Sequence, residues 1–226
     1  PSAAARRPRR ARIHGREGIT EPSVPRAPTA IKRCGSHRLR SPIGVAIVSA
    51  VTVRYALLDE IPGQARARLR FSGPDTRRFL QGTLTADLAA LRPGHAVAAG
   101  LCTAKGKLVS ELVLLPGAGD DEVHALVPAA LAETLRERFD RHIVMDEVEV
   151  EVLPAVAVAV AWDELAAAPE LAAAPGVEAF ATRHPAPGRL LVGAKPAVRA
   201  ALAGVEAVGI EGWAGHRIAT GSPAWG

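Results

Sequence analysis

The chain has 226 residues, 48% hydrophobic and 23% charged, with a formal net charge of +5, which is length for one large or two small domains. No run of 18 or more apolar residues is present, so no helical membrane span is predicted. Two cysteines, Cys34 and Cys102, are too few for a disulfide framework or a four-ligand metal site and point to a reducing compartment.

The charge is uneven. Residues 1–50 hold 11 of the 28 Lys and Arg but only two acids, Glu17 and Glu21, so this head carries +9 and residues 51–226 carry −4. The head is rich in Ala, Arg and Pro, lacks apolar periodicity and is expected to be disordered. Three readings of it are open. It suits a basic arm for nucleic acid, although charge runs are usually just solvated. Its Arg and Ser content suits a mitochondrial transit peptide, but its proline spacing breaks an amphipathic helix. The excess of Arg over Lys, 24 to 4, favours the third, GC-rich upstream sequence translated ahead of a start at Val51. With 4% aromatic residues, a base-stacking platform is not expected.

Residues 53–59 read as a short strand. In Ala65 to Phe71, Ala65, Ala67, Leu69 and Phe71 alternate with Arg66, Arg68 and Arg70, which predicts a half-buried strand with a solvated basic face. Ser72 or Asp75 is placed to cap a short helix that turns Phe79 and Leu80 inward and ends at Gly82. Residues 83–91 read as a turn or short helix, with Asp87 as a capping carboxylate, and Arg92-Pro93-Gly94 as a sharp turn. Strands at 95–102 and 108–115 are joined by Thr103-Ala-Lys105-Gly106-Lys107, a hairpin with Gly106 at positive φ. A strand at 122–127 precedes a helix opening at Pro128, with Leu131, Leu135, Phe139 and His142 along one face. Strands at 148–153 and 155–162, an Ala-rich helix at 163–173, a Pro/Gly connection, a strand at 189–192 and a helix at 196–202 complete the series. Irregular alternation with antiparallel signals predicts an α+β fold, with a break between two subdomains near residues 153–155.

Nucleotide loops, metalloprotease, CxxC and hydrolase-elbow signatures are absent, and no histidine has ligand spacing with a Cys or carboxylate. The stretch from Leu101 to Glu111 is the chemical candidate. Its hairpin offers Lys105, Lys107, backbone amides and the Thr103 hydroxyl to a carboxylate or phosphate, and Glu111 is able to accept from a heterocycle. A plain solvent-exposed turn is the alternative. Cys102 reads as an inert core residue rather than a nucleophile.

Gly73-Pro-Asp75 with Phe79-Leu-Gln-Gly82, Leu84-Thr-Ala-Asp87, Cys102-Thr-Ala-Lys-Gly106 and Arg217-Ile-Ala-Thr-Gly-Ser-Pro resemble the text of the YgfZ family of folate-binding proteins, relatives of the glycine-cleavage T-protein (aminomethyltransferase). The resemblance runs from about residue 54 to 226 and is clearest over 70–115. It implies a T-protein-like fold of mixed and antiparallel sheets with flanking helices, incomplete at the C-terminus, around a channel for tetrahydrofolate. It also implies a role in iron–sulfur cluster assembly or maintenance, with reduced folate and iron–sulfur proteins or their assembly factors as partners. The expected location is the bacterial cytoplasm, or the mitochondrial matrix if the head is a transit peptide. Two departures stand out: the family's Lys-Gly-Cys signature would follow Gly226, and Ser110-Glu111 stands where T-proteins carry Asp-Asp. The second counts against aminomethyl transfer, so a folate-binding accessory protein is the leading expectation. An aminomethyltransferase is the alternative, and a basic-armed nucleic-acid or interaction protein the further one. By resemblance, the folate contacts are Thr103, Lys105, Glu111 and Arg217, with Lys105 and Arg217 toward its glutamate carboxylates and Glu111 toward the pterin edge.

Overall fold

A computed structural model describes residues 52–222 apart from 164–170 and 172–173. The expected disorder of the head and the Ala-rich helix at 163–173 therefore fall wholly or largely outside the described residues. The elements run β1 (Arg54–Leu57), β2 (Arg66–Ser72), α1 (Thr76–Thr83), β3 (Val97–Cys102), β4 (Leu108–Pro116), β5 (Glu122–Pro128), α2 (Ala132–Asp140), β6 (Glu149–Val152) and β7 (Ala157–Trp162). They continue with β8 (Val177–Thr182), β9 (Gly188–Gly193), α3 (Lys195–Ala201), β10 (Glu206–Ala207) and α4 (Ile210–Ala219). One sheet is ordered β10-β1-β7-β9-β8 and is mixed, because β1 and β10 run parallel. The other, β3-β4-β5-β2-β6, is antiparallel throughout.

Continuous apolar runs explain the stacking of these sheets. On β4, Leu112 and Leu114 enter a core beneath α1 and α2, while Val113 and Leu115 enter a second core that faces the mixed sheet. On β7, Val158, Val160 and Trp162 enter that same second core, and Ala157, Ala159 and Ala161 face a third, beneath α3. Strands apolar on both faces belong in the middle of such a pile. The order of layers is helices, antiparallel sheet, mixed sheet, helix. Phe71 and Phe139 meet edge to face at 4.9 Å in the first core.

Several expectations are corrected. The basic face of β2 is solvated only toward Arg70, whose side chain is 38% exposed, whereas the Arg66 side chain is 6% exposed and Arg68 is buried. Arg68 stands opposite Leu126 and Leu126 opposite Val113, so these arginines share the face that the mixed sheet covers. Arg68 makes a fork to Glu178 of β8 at 2.5 and 3.0 Å, the charge pairing that buried guanidinium groups require. Asp75 precedes α1 but its side chain caps nothing there; Oδ2 accepts from the Glu147 N–H at 3.0 Å and Oδ1 pairs with Arg78 at 3.1 Å. Helix α1 runs through Gly82 to Thr83. Pro128 ends β5 instead of opening a helix, a 3-10 turn over Ala129–Leu131 intervenes, and His142 is exposed beyond α2. Asp87 does cap, accepting from the Ala89 N–H at 3.0 Å. Strand β8 and helix α4 were not expected. No helix among the described residues is long and apolar enough to cross a membrane.

Candidate functional site

Pro128, which ends β5, stands opposite Arg66, and Glu111 continues the β4 register to the same row on the far side of Pro128. Proline has no N–H and a compact ring, so two long side chains can meet across it. The Arg66 Nη2 donates to Glu111 Oε1 at 2.7 Å. From the segment after β8, His184 Nε2 lies 3.2 Å from the other oxygen, Oε2. The Glu111 side chain is 13% exposed. Burial by itself would raise its pKa, but the His184 and Arg66 hydrogen bonds and charges outweigh burial and hold it at about 2, against an ordinary 4.5. Glu111 is thus an anion throughout the physiological range.

Arg217 comes to this cluster from α4. The helix buries Trp213 and Arg217, one turn apart. The Arg217 Nη1 donates to Gln64 Oε1 at 3.0 Å and Nε to the Ser222 carbonyl at 3.2 Å, and the guanidinium sits 5.9 Å from the Trp213 ring centre. Burial lowers its pKa most, the Glu111 carboxylate pulls it back up, and the Arg66 charge lowers it further. Three cationic or ionisable groups, Arg66, Arg217 and His184, therefore surround one carboxylate. Beside Arg217 opens a cleft of about 670 Å³, with Ile61, Pro62 and Gln64 on one wall and Trp213, Arg217 and Ile218 on the other. Its walls are apolar and its polar contacts few, the arrangement that holds a flat organic ligand by a small number of oriented groups.

Of the four residues expected at the site, Glu111 and Arg217 are brought together. Thr103 and Lys105 stay at the β3–β4 hairpin tip. There the Thr103 N–H donates to the Lys107 carbonyl at 2.8 Å and its hydroxyl accepts from the Lys107 N–H at 3.1 Å. Gly106 takes the expected positive φ, 75°. Lys105 is exposed and belongs to none of the ion pairs seen among the described residues. Sequence reasoning missed Gln64, Arg66, His184 and Trp213. The spacing of Trp213 and Arg217, four apart on an unrecognised helix, was the signal available for α4. No group of three metal-ligating side chains occurs among the described residues.

No protein-family model matches the sequence. Over 43 residues the chain is 49% identical to the tRNA-modifying protein YgfZ of Photorhabdus laumondii subsp. laumondii, a stretch that is 19% of this chain and 13% of that protein. The fold is similar to that of the glycine cleavage system aminomethyltransferase T from Bartonella henselae, with a TM-score of 0.61 and 15% identity over 77% of this chain. The chain spans about half, 52%, of the length of that structure. The expected α+β, T-protein-like fold is thereby borne out, and the resemblance read from the sequence has support in both comparisons.

Proposed function

We propose that this protein binds a reduced folate, tetrahydrofolate, in the cleft beside Arg217, and that it does so as an accessory protein of the YgfZ type. The observation that carries the reading is the pairing of an apolar cleft with an oriented guanidinium, in a chain with the T-protein fold. A folate offers a flat heterocycle, an aryl group and terminal carboxylates. Trp213, Ile61 and Ile218 suit the rings, and Gln64 supplies an amide for a heterocycle edge. Arg217 suits a carboxylate. In this arrangement Glu111 acts from behind, fixing Arg66 and the field around Arg217, instead of meeting the pterin itself. Thr103 and Lys105 would reach a ligand only if its glutamate tail extended toward the hairpin.

Aminomethyl transfer is the second reading. Against it stands Ser110, at the position where an aspartate is expected for that chemistry. Its side chain is buried, and its hydroxyl donates to the Glu111 carbonyl at 3.0 Å, so it presents neither acid nor base to a ligand. A role in iron–sulfur cluster assembly or maintenance, with iron–sulfur proteins or their assembly factors as partners, belongs to the same proposal.

The test is a titration of the chain with tetrahydrofolate under anaerobic conditions, following tryptophan emission. A saturable change is expected, weakened about tenfold in Gln64→Ala, whose side chain is half-buried on the cleft wall. Absence of any saturable change, or affinity equal to that of the parent chain in both Gln64→Ala and Ile218→Asp, overturns the reading.

A further inference from the structure

The two sheets are joined at one edge. β3 ends the antiparallel sheet and β8 ends the mixed one. Where they meet, the Ala96 N–H donates to the Ala181 carbonyl at 2.9 Å and the Ala181 N–H donates to the Gly94 carbonyl at 2.8 Å. Beside this seam opens a second cleft, of about 940 Å³. Its charged and ionisable lining is Arg92, His95, Arg183 and His184, with no carboxylate among its lining residues. In a region that carries −4 over residues 51–226, such a one-signed lining concentrates positive potential locally.

The donors at this cleft are uncommitted or pre-aimed. Arg183 is exposed and makes no ion pair among the described residues. Among the described residues the Arg92 guanidinium hydrogen-bonds to His95, with Nη2 3.4 Å from Nε2, while His95 Nδ1 faces the Pro93 carbonyl at 3.1 Å. The contact to His95 engages one Arg92 amino group and leaves the other Arg92 donors for a ligand. The open edge of β3 adds a backbone donor. The Ala96 N–H points away from β4, to Ala181, and the Gly100 N–H points away to the Thr85 hydroxyl at 2.8 Å. Strand alternation puts the Ala98 N–H on the same outward edge between them, and Ala98 lines the cleft.

We propose that this cleft is an anion site for a phosphate group, either free phosphate or the phosphate of a small monoester. Two guanidinium groups and a backbone N–H supply the forked, planar donors that a tetrahedral oxyanion takes. The cleft is wider than one oxyanion needs, and this leaves room for a small organic body. The site is separate from the cleft beside Arg217 and does not depend on folate binding. His184, which lines the phosphate cleft while contacting Glu111, is the residue common to both regions.

The experiment is calorimetric titration of the chain with inorganic phosphate and, in a second arm, ribose 5-phosphate, in a zwitterionic buffer with ionic strength held constant by chloride. Saturable binding is expected in at least one arm: tighter ribose 5-phosphate assigns a monoester, and equal affinities assign the phosphate group alone. The double variant Arg92→Ala/Arg183→Ala, both positions exposed, is expected to weaken binding about tenfold or more. The charge-matched variant Arg136→Ala/Arg141→Ala, at α2 on the other side of the antiparallel sheet, is expected to leave it within about twofold. Absence of saturation in both arms overturns the proposal. So does an equal loss in the two double variants, which would mark diffuse attraction to net charge.

Discussion

Glu111→Gln removes the charge at the centre of the ionic cluster while keeping the shape of the side chain. Its carboxylate is held at about 2 in the folded protein against an ordinary 4.5. That gap, at about 1.36 kcal/mol per pH unit, corresponds to about 3 kcal/mol of folding stability at neutral pH. Because the folded pKa is the depressed one, the contribution is complete above the ordinary value and is lost as the pH falls toward about 2. At pH 3 about 1 kcal/mol should remain. Breaking a buried pair on one side leaves Arg66 and Arg217 facing each other without their shared counter-charge, which adds to the cost. The assay is urea unfolding at pH 7 and pH 3, followed by the emission of Trp162 and Trp213, both buried. We expect the variant to be less stable by about 3 kcal/mol at pH 7, with the difference shrinking about threefold at pH 3. A loss below about 1 kcal/mol at pH 7, or a difference that does not change with pH, refutes the assignment of Glu111 as a permanently charged hub.

Gly73 has φ 132°, and a Cβ there would run into the Glu147 carbonyl; Gly73→Ala should cost about 2 kcal/mol or more through backbone strain and displacement of the segment before β6. Thermal unfolding within a degree of the parent would contradict that. His124 is held neutral, its pKa lowered below the ordinary 6.5 chiefly by burial and next by the Arg68 charge, with Glu122 opposing. The unfolded chain therefore takes up a proton that the folded one refuses, so stability should fall as pH drops below about 6.5. In His124→Gln that part of the slope between pH 7 and 5.5 should flatten; an unchanged slope would exclude the role.

Local pattern was enough to place β2, β4, β5, β7 and β9, since each is a short apolar or alternating run bounded by turn residues. It could not say which face of β2 is covered. Alternation separates Leu69 from Arg68 but is silent on what lies beyond Arg68, and its partner Glu178 is 110 residues away. Strand β8 escaped because Val177–Thr182 follows a Pro/Gly-rich connection and carries small residues. Helix α4 was hidden by Gly212 and Gly215, which lower helix propensity and are offset by packing of Trp213 into the inter-sheet core. For the site, Glu111 and Arg217 were legible through the resemblance. Gln64, Arg66 and His184 were not, because only the stacking of the two sheets and α4 gathers them.

The mixed sheet also dictates an order of assembly. Residues 66–152 contain every strand of the antiparallel sheet, so its ladder is available once β6 has left the ribosome. β1 is made earlier but pairs with β7, Arg54 opposite Trp162, and with β10, Arg54 opposite Glu206. Among the described residues β1 therefore has no strand partner until more than 100 residues later, and closure across so long a loop is the slow, entropically costly contact. During that interval Val113, Leu115 and Leu126 form an apolar surface with nothing over it. β1 is thus made well before the strands that secure it, and translation leaves the nascent chain waiting with this side of its central core open to water.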